Sequence, residues 1–145
     1  MTKEANNIQD QIIDEFLIFE DWMDKYNYLI EVSNELPKID EGRKTQDNLI
    51  SGCQSNVWLE PEFKDGRIFF RADSDALITK GLIALLIKVL NGREPQEIID
   101  ADLYFIDKIG LKENLSPTRS NGLLSMIKQM KLYAMAYQAK EKTER

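Results

Sequence analysis

The stretch Ala76-Leu77-Ile78-Thr79-Lys80-Gly81-Leu82-Ile83-Ala84-Leu85-Leu86-Ile87-Lys88-Val89-Leu90 is apolar on nearly every side. A helix with so little polar face must be enclosed by other elements, so this segment predicts a central buried helix around which the rest of the chain is arranged. Ser74 or Asp73 is placed to cap it, with a start near Asp75, and Asn91-Gly92 ends it. Its longest strongly apolar run, Gly81 to Leu90, is interrupted by Lys88 and is far shorter than the roughly 20 residues that cross a bilayer. The helix is therefore expected in a protein core and not in a membrane. With 145 residues, 43% hydrophobic and 30% charged, there is material for one such core and little room for two, so residues 1–145 read as one domain.

The flanking segments supply the enclosure. Ile8, Ile12, Phe16 and Phe19 recur at helical spacing and predict a helix from about Asn7 to Phe19. Asp21 can cap a second helix whose face is Trp22, Tyr26, Leu29, Ile30 and Ser33, ending at Leu36-Pro37. Lys38 to Asn48 is almost wholly polar and reads as an exposed connection with few packing contacts. Ser55, Val57 and Leu59 alternate with Asn56, Trp58 and Glu60, a strand pattern that Pro61 should bring to a close. Lys64-Asp65-Gly66 supplies a turn into Arg67–Ala72, and the two runs should pair as antiparallel strands. Pro95 suits a short helix through Ile99, and Leu103–Ile109 reads as another, closed by Gly110. Ser116-Pro117 places a cap residue before a proline at the first helical position and opens a long last helix, with Leu123, Met126, Ile127, Met130, Tyr133 and Tyr137 inside. The fold class expected is α+β, a small antiparallel sheet flanked by N-terminal and C-terminal helices.

Charge and residue inventory exclude several classes of function. A formal charge of -6 repels phosphate backbones and anionic lipid, and the basic tail from Lys128 to Arg145 is interrupted by Glu141 and Glu144. No nucleic-acid and no membrane partner is expected. The first residues lack the apolar core and small-residue cleavage pattern of a signal peptide. One unpaired cysteine in such a chain fits a reducing, cytoplasmic setting. There is no histidine, which removes the Cys-His and Ser-His-Asp nucleophile pairs and imidazole metal ligands. No metal site is expected.

Cys53 is that single thiol, set in Ser51-Gly52-Cys53-Gln54-Ser55 between the polar connection and the first strand. A lone cysteine is more often inert filler of an apolar core, but this one lies on a glycine-flanked turn, where a partner backbone can approach. On local sequence alone both readings stand. Apolar Leu49 and Ile50 just ahead of the turn suggest a loop tucked at rest, which opens when a partner docks.

The larger pattern is more specific. Ser51-Gly52-Cys53-Gln54-Ser55-Asn56-Val57-Trp58, then Asp73-Ser74-Asp75-Ala76 and Lys80-Gly81-Leu82, then Leu115-Ser116-Pro117-Thr118-Arg119-Ser120-Asn121-Gly122-Leu123, resembles the SufE family of sulfur-acceptor proteins, in the family's own order and over about Asp14 to Ala136. The resemblance implies a fold similar to the iron-sulfur scaffold IscU. It also implies that Cys53 accepts persulfide sulfur from a SufS-type cysteine desulfurase, stimulates that enzyme, and hands the sulfur to a SufB-type scaffold complex in iron-sulfur cluster assembly. Pyridoxal phosphate is implied on the desulfurase, with no cofactor bound by this chain. Ser51, Gly52, Gln54, Ser55, Asp75 and Arg119 are implied to support the cysteine loop or touch the partner, and Trp58 reads as packing. Plainer readings stand beside these. Asp75 can simply favour a helix N-terminus, and Arg119 can be a solvated arginine, although a cation there opposes the helix dipole. Whether such a carrier counts as an enzyme depends on definition, since its covalent step is stoichiometric. The alternatives are a regulatory module that docks on a desulfurase or scaffold without covalent chemistry, and a stand-alone thiol enzyme, which the missing histidine and second cysteine disfavour.

Overall fold

A computed structural model describes residues 2–143. Two helices, α1 (Lys3–Leu17) and α2 (Trp22–Val32), lead through short 3-10 turns to the strands β1 (Val57–Lys64) and β2 (Arg67–Ser74). There follow α3 (Leu77–Leu90), the short helices α4 (Pro95–Ile99), α5 (Phe105–Lys108) and α6 (Leu111–Asn114), and the long α7 (Pro117–Thr143). Glu144 and Arg145, the end of the basic tail, lie outside the described residues.

The apolar segment is the centre, as its composition requires. Gly81, Leu82, Ile83, Ala84, Leu85, Leu86 and Ile87 are all buried, and α3 packs against α1, α2, β2 and α7. Gly81 lets α2 cross α3 closely: a Cβ there would run into the Leu29 carbonyl and lie 3.2 Å from the Leu29 Cβ. The start of α3 differs from expectation. Leu77 is its first residue, and neither Asp73 nor Ser74 caps it with a side-chain bond to the first turn. The carboxylate of Asp73 is instead buried among lysines, with Lys44 Nζ at 2.5 Å and Lys80 Nζ at 3.1 Å. Lys44 from the connection before β1 and Lys80 from α3 itself claim the carboxylate, which leaves it no part in capping.

The sheet has two strands, paired in register from Val57 opposite Ser74 to Lys64 opposite Arg67. Asp65 and Gly66 both take positive φ, +54° and +77°, which gives the turn twist that a two-residue hairpin favours. β1 runs straight through Pro61 rather than stopping there. Pro61 faces Phe70, whose N–H points away from β1 and donates to Asn91 Oδ1 at 2.7 Å. The pair is a non-hydrogen-bonded one, so the missing proline N–H costs the ladder nothing.

The outer edges of the sheet are covered by loops. Ala72 N donates to the Pro37 carbonyl at 2.9 Å, Ile39 N returns a bond to Ala72 at 3.2 Å, and Ile68 exchanges bonds with Gly92 and Arg93. The connection Lys38 to Asn48 is therefore more anchored than its polarity suggests, with Ile39 and Asn48 buried. Together with Pro37, the Ile39 backbone satisfies the edge of β2 at Ala72, a role that depends on main-chain groups and leaves no mark in residue type. Other boundaries shift modestly. Thr2 accepts from Ala5 N and starts α1 earlier than expected, α5 is shorter than Leu103–Ile109, and α6 is an extra turn of helix after Gly110. The last helix begins as its sequence demands, with Ser116 Oγ accepting from Arg119 N at 3.3 Å and Pro117 first in the helix.

Candidate functional site

Three local arrangements set the position of the thiol. Ile50 N donates to the Val57 carbonyl at 2.9 Å, and Leu49 bridges Trp58, so residues 51–56 form a loop closed at its base on the outer edge of β1. Next to the base, Asp75 accepts from Asn56 twice, from the backbone N–H at 3.1 Å and from Nδ2 at 3.0 Å. Asp75 thus lies outside α3, in the link between β2 and the helix, and its carboxylate ties down the far end of the loop. Finally the loop lies against α7. Gly52 has φ +89°, a conformation that side chains rarely adopt, and a Cβ on it would be 2.5 Å from Ser125 Oγ.

Cys53 is a half-buried free thiol. Its Sγ–H donates to the carbonyl oxygen of Gly122, 3.7 Å away. It lines a cleft of about 300 Å³ with Gln54, Ser55, Thr79, Ser116, Thr118, Arg119, Gly122 and Met126. Burial pushes the thiol pKa up from its ordinary value, because a half-buried thiolate gives up part of its hydration. At rest Cys53 is therefore a half-buried thiol that is mostly protonated near neutral pH. Arg119 is exposed at the cleft and Thr118 and Ser116 bring the N-terminal turn of α7 beside it, so its lining carries donors and one cation but no carboxylate. Such a lining suits a sulfur anion or an acidic group of a partner.

A second group braces the loop from behind. Burial alone would push the Asp73 carboxyl up, but hydrogen bonds from Lys44, Ser74 N and Lys80 outweigh it and bring the pKa down to about 2. Lys44 also sits over the ring of half-buried Trp58, 5.5 Å from its centroid. The connection 38–48, the start of β1, the end of β2 and α3 are thereby held by one buried acid.

Of the residues singled out from sequence, Cys53, Gln54, Ser55 and Arg119 meet in the cleft. Gly52 and Asp75 shape the loop without lining the cleft, and Ser51 is exposed at the turn. The sequence gives no individual role to Asn56, Thr79, Thr118, Gly122 or Ser125. One of them carried a signal: glycine within a helix costs roughly 1 kcal/mol against alanine, so Gly122 called for a reason. Among the described residues no group of three His, Cys, Asp or Glu side chains could hold a metal ion. None of the described helices is long and apolar enough to cross a membrane.

The family pattern described as SufE, an Fe-S metabolism associated domain, matches residues 10–134. An uncharacterised SufE-like protein of Rhizobium etli is 43% identical over 129 residues, covering 84% of this chain and 86% of that protein. An uncharacterised SufE-like protein of Rhizobium meliloti is 41% identical over 127 residues, covering 84% and 91%. One from Synechocystis is 36% identical over 128 residues, covering 88% and 80%. The solution structure of a hypothetical protein from Thermus thermophilus superposes with a TM-score of 0.74 at 18% identity, covering 91% of this chain and 96% of that one, which speaks for the fold alone.

Proposed function

The chain belongs to the SufE family of sulfur-transfer accessory proteins, and from that premise we propose that it takes sulfur onto Cys53 from a SufS-type cysteine desulfurase. In this reading residues 1–145 act as one SufE-like domain, and the persulfide is delivered to a SufB-type iron-sulfur scaffold. The observation that carries it is the setting of Cys53. The only thiol of the chain is half-buried on a closed loop, in a cleft with Arg119 and no carboxylate.

The chemistry is thiol exchange. The Cys53 thiolate attacks the outer sulfur of the desulfurase persulfide. A bond forms between Cys53 Sγ and that sulfur, the donor S–S bond breaks, and the donor leaves as a thiolate that takes up the proton Cys53 gave away. No electrons are gained or lost overall, so no external oxidant or reductant is required. A second exchange of the same kind passes the sulfur to an acceptor cysteine. Pyridoxal phosphate works on the desulfurase, where it releases the sulfur from free cysteine; this chain contributes the nucleophile and its shelter.

The raised thiol pKa keeps Cys53 poorly reactive until docking. The loop is tied at its base by Ile50–Val57 and Asn56–Asp75, so that residues 51–55 would lift off α7 toward a docked partner while its ends stay fixed. Arg119 would then meet the acidic or thiolate group that arrives with the donor. Draining persulfide from the donor frees it for another turnover, which is the source of the stimulation. Cys53→Ser tests the reading: added to the desulfurase with cysteine as substrate, it should lose the stimulation that the parent chain gives. Full stimulation by the serine variant would favour a non-covalent regulatory module instead.

A further inference from the structure

Gly122 sits in the body of α7, buried, where glycine is the poorest choice short of proline. The ordinary reason for a helical glycine is close approach of another backbone, as at Gly81. Gly122 is different. Outside its own helix backbone and chain neighbours, the one heavy atom that a Cβ there would meet within 4 Å is Cys53 Sγ, at 3.7 Å. That separation is ordinary van der Waals contact, so the bare thiol does not require glycine.

A loaded Cys53 does. The added sulfur stands roughly 2.05 Å beyond Sγ, and toward α7 it would fall inside contact distance of any methyl group at position 122. The cleft volume of about 300 Å³ is ample for one more atom. Clearance beside Sγ, not total volume, is what decides. The backbone points the same way: the thiol already turns to the Gly122 carbonyl, and the Gly52 backbone is pressed onto α7 at Ser125, three residues along. Two glycines on facing elements bring loop and helix together, and only the one on α7 faces the sulfur.

We infer that Gly122 is a positioning residue for the loaded form: the bare spot it leaves on α7, beside the Cys53 thiol, is the seat of the added sulfur of a Cys53 persulfide. The inference rests on the sulfur-carrier reading and deepens it, giving the carrier a means of holding its cargo against small reductants. Seated against α7, the outer sulfur is screened from a free thiol in solution. It becomes available when docking lifts the loop.

The test separates the seat from the carrier reading. Parent chain and Gly122→Ala are loaded with inorganic polysulfide, in which the Cys53 thiolate attacks a terminal sulfur and releases a polysulfide one atom shorter. Intact mass then follows removal of the outer sulfur by glutathione, which returns the Cys53 thiol and forms glutathione persulfide. That rate is divided by the rate of iodoacetamide alkylation of the unloaded thiol. The ratio should rise about fivefold in Gly122→Ala, the lower end of what one methyl too many costs a packed site. Gly122→Ser should shift it in the same direction. A general loss of folding does not produce this outcome, because alanine is the better helix former and the divisor removes any change in loop exposure. A variant that takes up no sulfur while the parent does also supports the seat. A ratio equal to the parent's or lower overturns it, as does a parent chain that holds no sulfur from polysulfide. Loading from polysulfide but not from a desulfurase contradicts the carrier reading and leaves the seat standing.

Discussion

The thiol of Cys53 sits in a compromise between protection and reactivity. Half burial raises its pKa, and the cation at the cleft does not reverse this at rest. With the folded pKa above the ordinary ~8.5, less thiolate is present at any given pH than on an exposed cysteine. Iodoacetamide alkylation of the free chain should therefore climb about tenfold per pH unit through neutrality, and its midpoint should lie above that of an unfolded control. A midpoint at or below the control would mean that the resting loop activates the sulfur rather than guarding it. The placement of the thiol was legible in the sequence, because Ser51-Gly52-Cys53-Gln54-Ser55 carries turn residues between a polar connection and a strand. The partner of Asp75 was not. An acid just ahead of a helix looks like a helix-terminus residue, and only the fold brings Asn56 against it.

At the scale of elements α1, α2, β2 and α7 are laid on a central helix, α3. Gly81 allows α2 to lie against α3, with the Leu29 carbonyl in the space a side chain would need. Gly81→Ala should gain ~1 kcal/mol in helix propensity and lose more, since backbone cannot swing aside as a flexible side chain can. The net expectation is a loss of about 1 to 2 kcal/mol, seen as a lower denaturant midpoint with unchanged slope; a midpoint equal to the parent's would show that α2 adjusts freely. The central helix and the start of α7 were readable from periodicity and from the Ser116-Pro117 cap. Strand β1 was cut short in the reading because Pro61 counts against a strand, and whether its missing N–H matters depends on which edge it faces. That is fixed by the register with β2, which no local pattern states. The 38–48 connection is exposed along most of its length, as its polarity suggests, while its backbone bond to Ala72 could not be read from residue type.

Taken as a whole, the molecule uses one buried acid to hold the sheet, the central helix and the connection before the cysteine loop in a common frame. Asp73 is 4% exposed, and its folded pKa of about 2 lies below its ordinary 3.8. A depressed carboxyl stabilises the fold fully above its ordinary pKa, and that contribution is lost as pH falls through the folded value. The protein should therefore lose about 2 kcal/mol between roughly pH 4 and pH 2, and Asp73→Asn should already be weaker at neutral pH while losing less in acid. Unfolding curves that fall equally for both chains would place the acid sensitivity elsewhere. The frame matters because, in the function proposed above, the loop at its edge opens while the fold around it holds. Sulfur uptake by that loop is the claim on which the functional account turns, and intact mass under non-reducing conditions measures it directly. Incubated with a matched cysteine desulfurase and free cysteine, the chain should gain one sulfur atom that a reductant removes, and Cys53→Ser should gain none. A parent chain that stimulates the desulfurase yet never gains mass, or a serine variant that gains as much, would contradict the account.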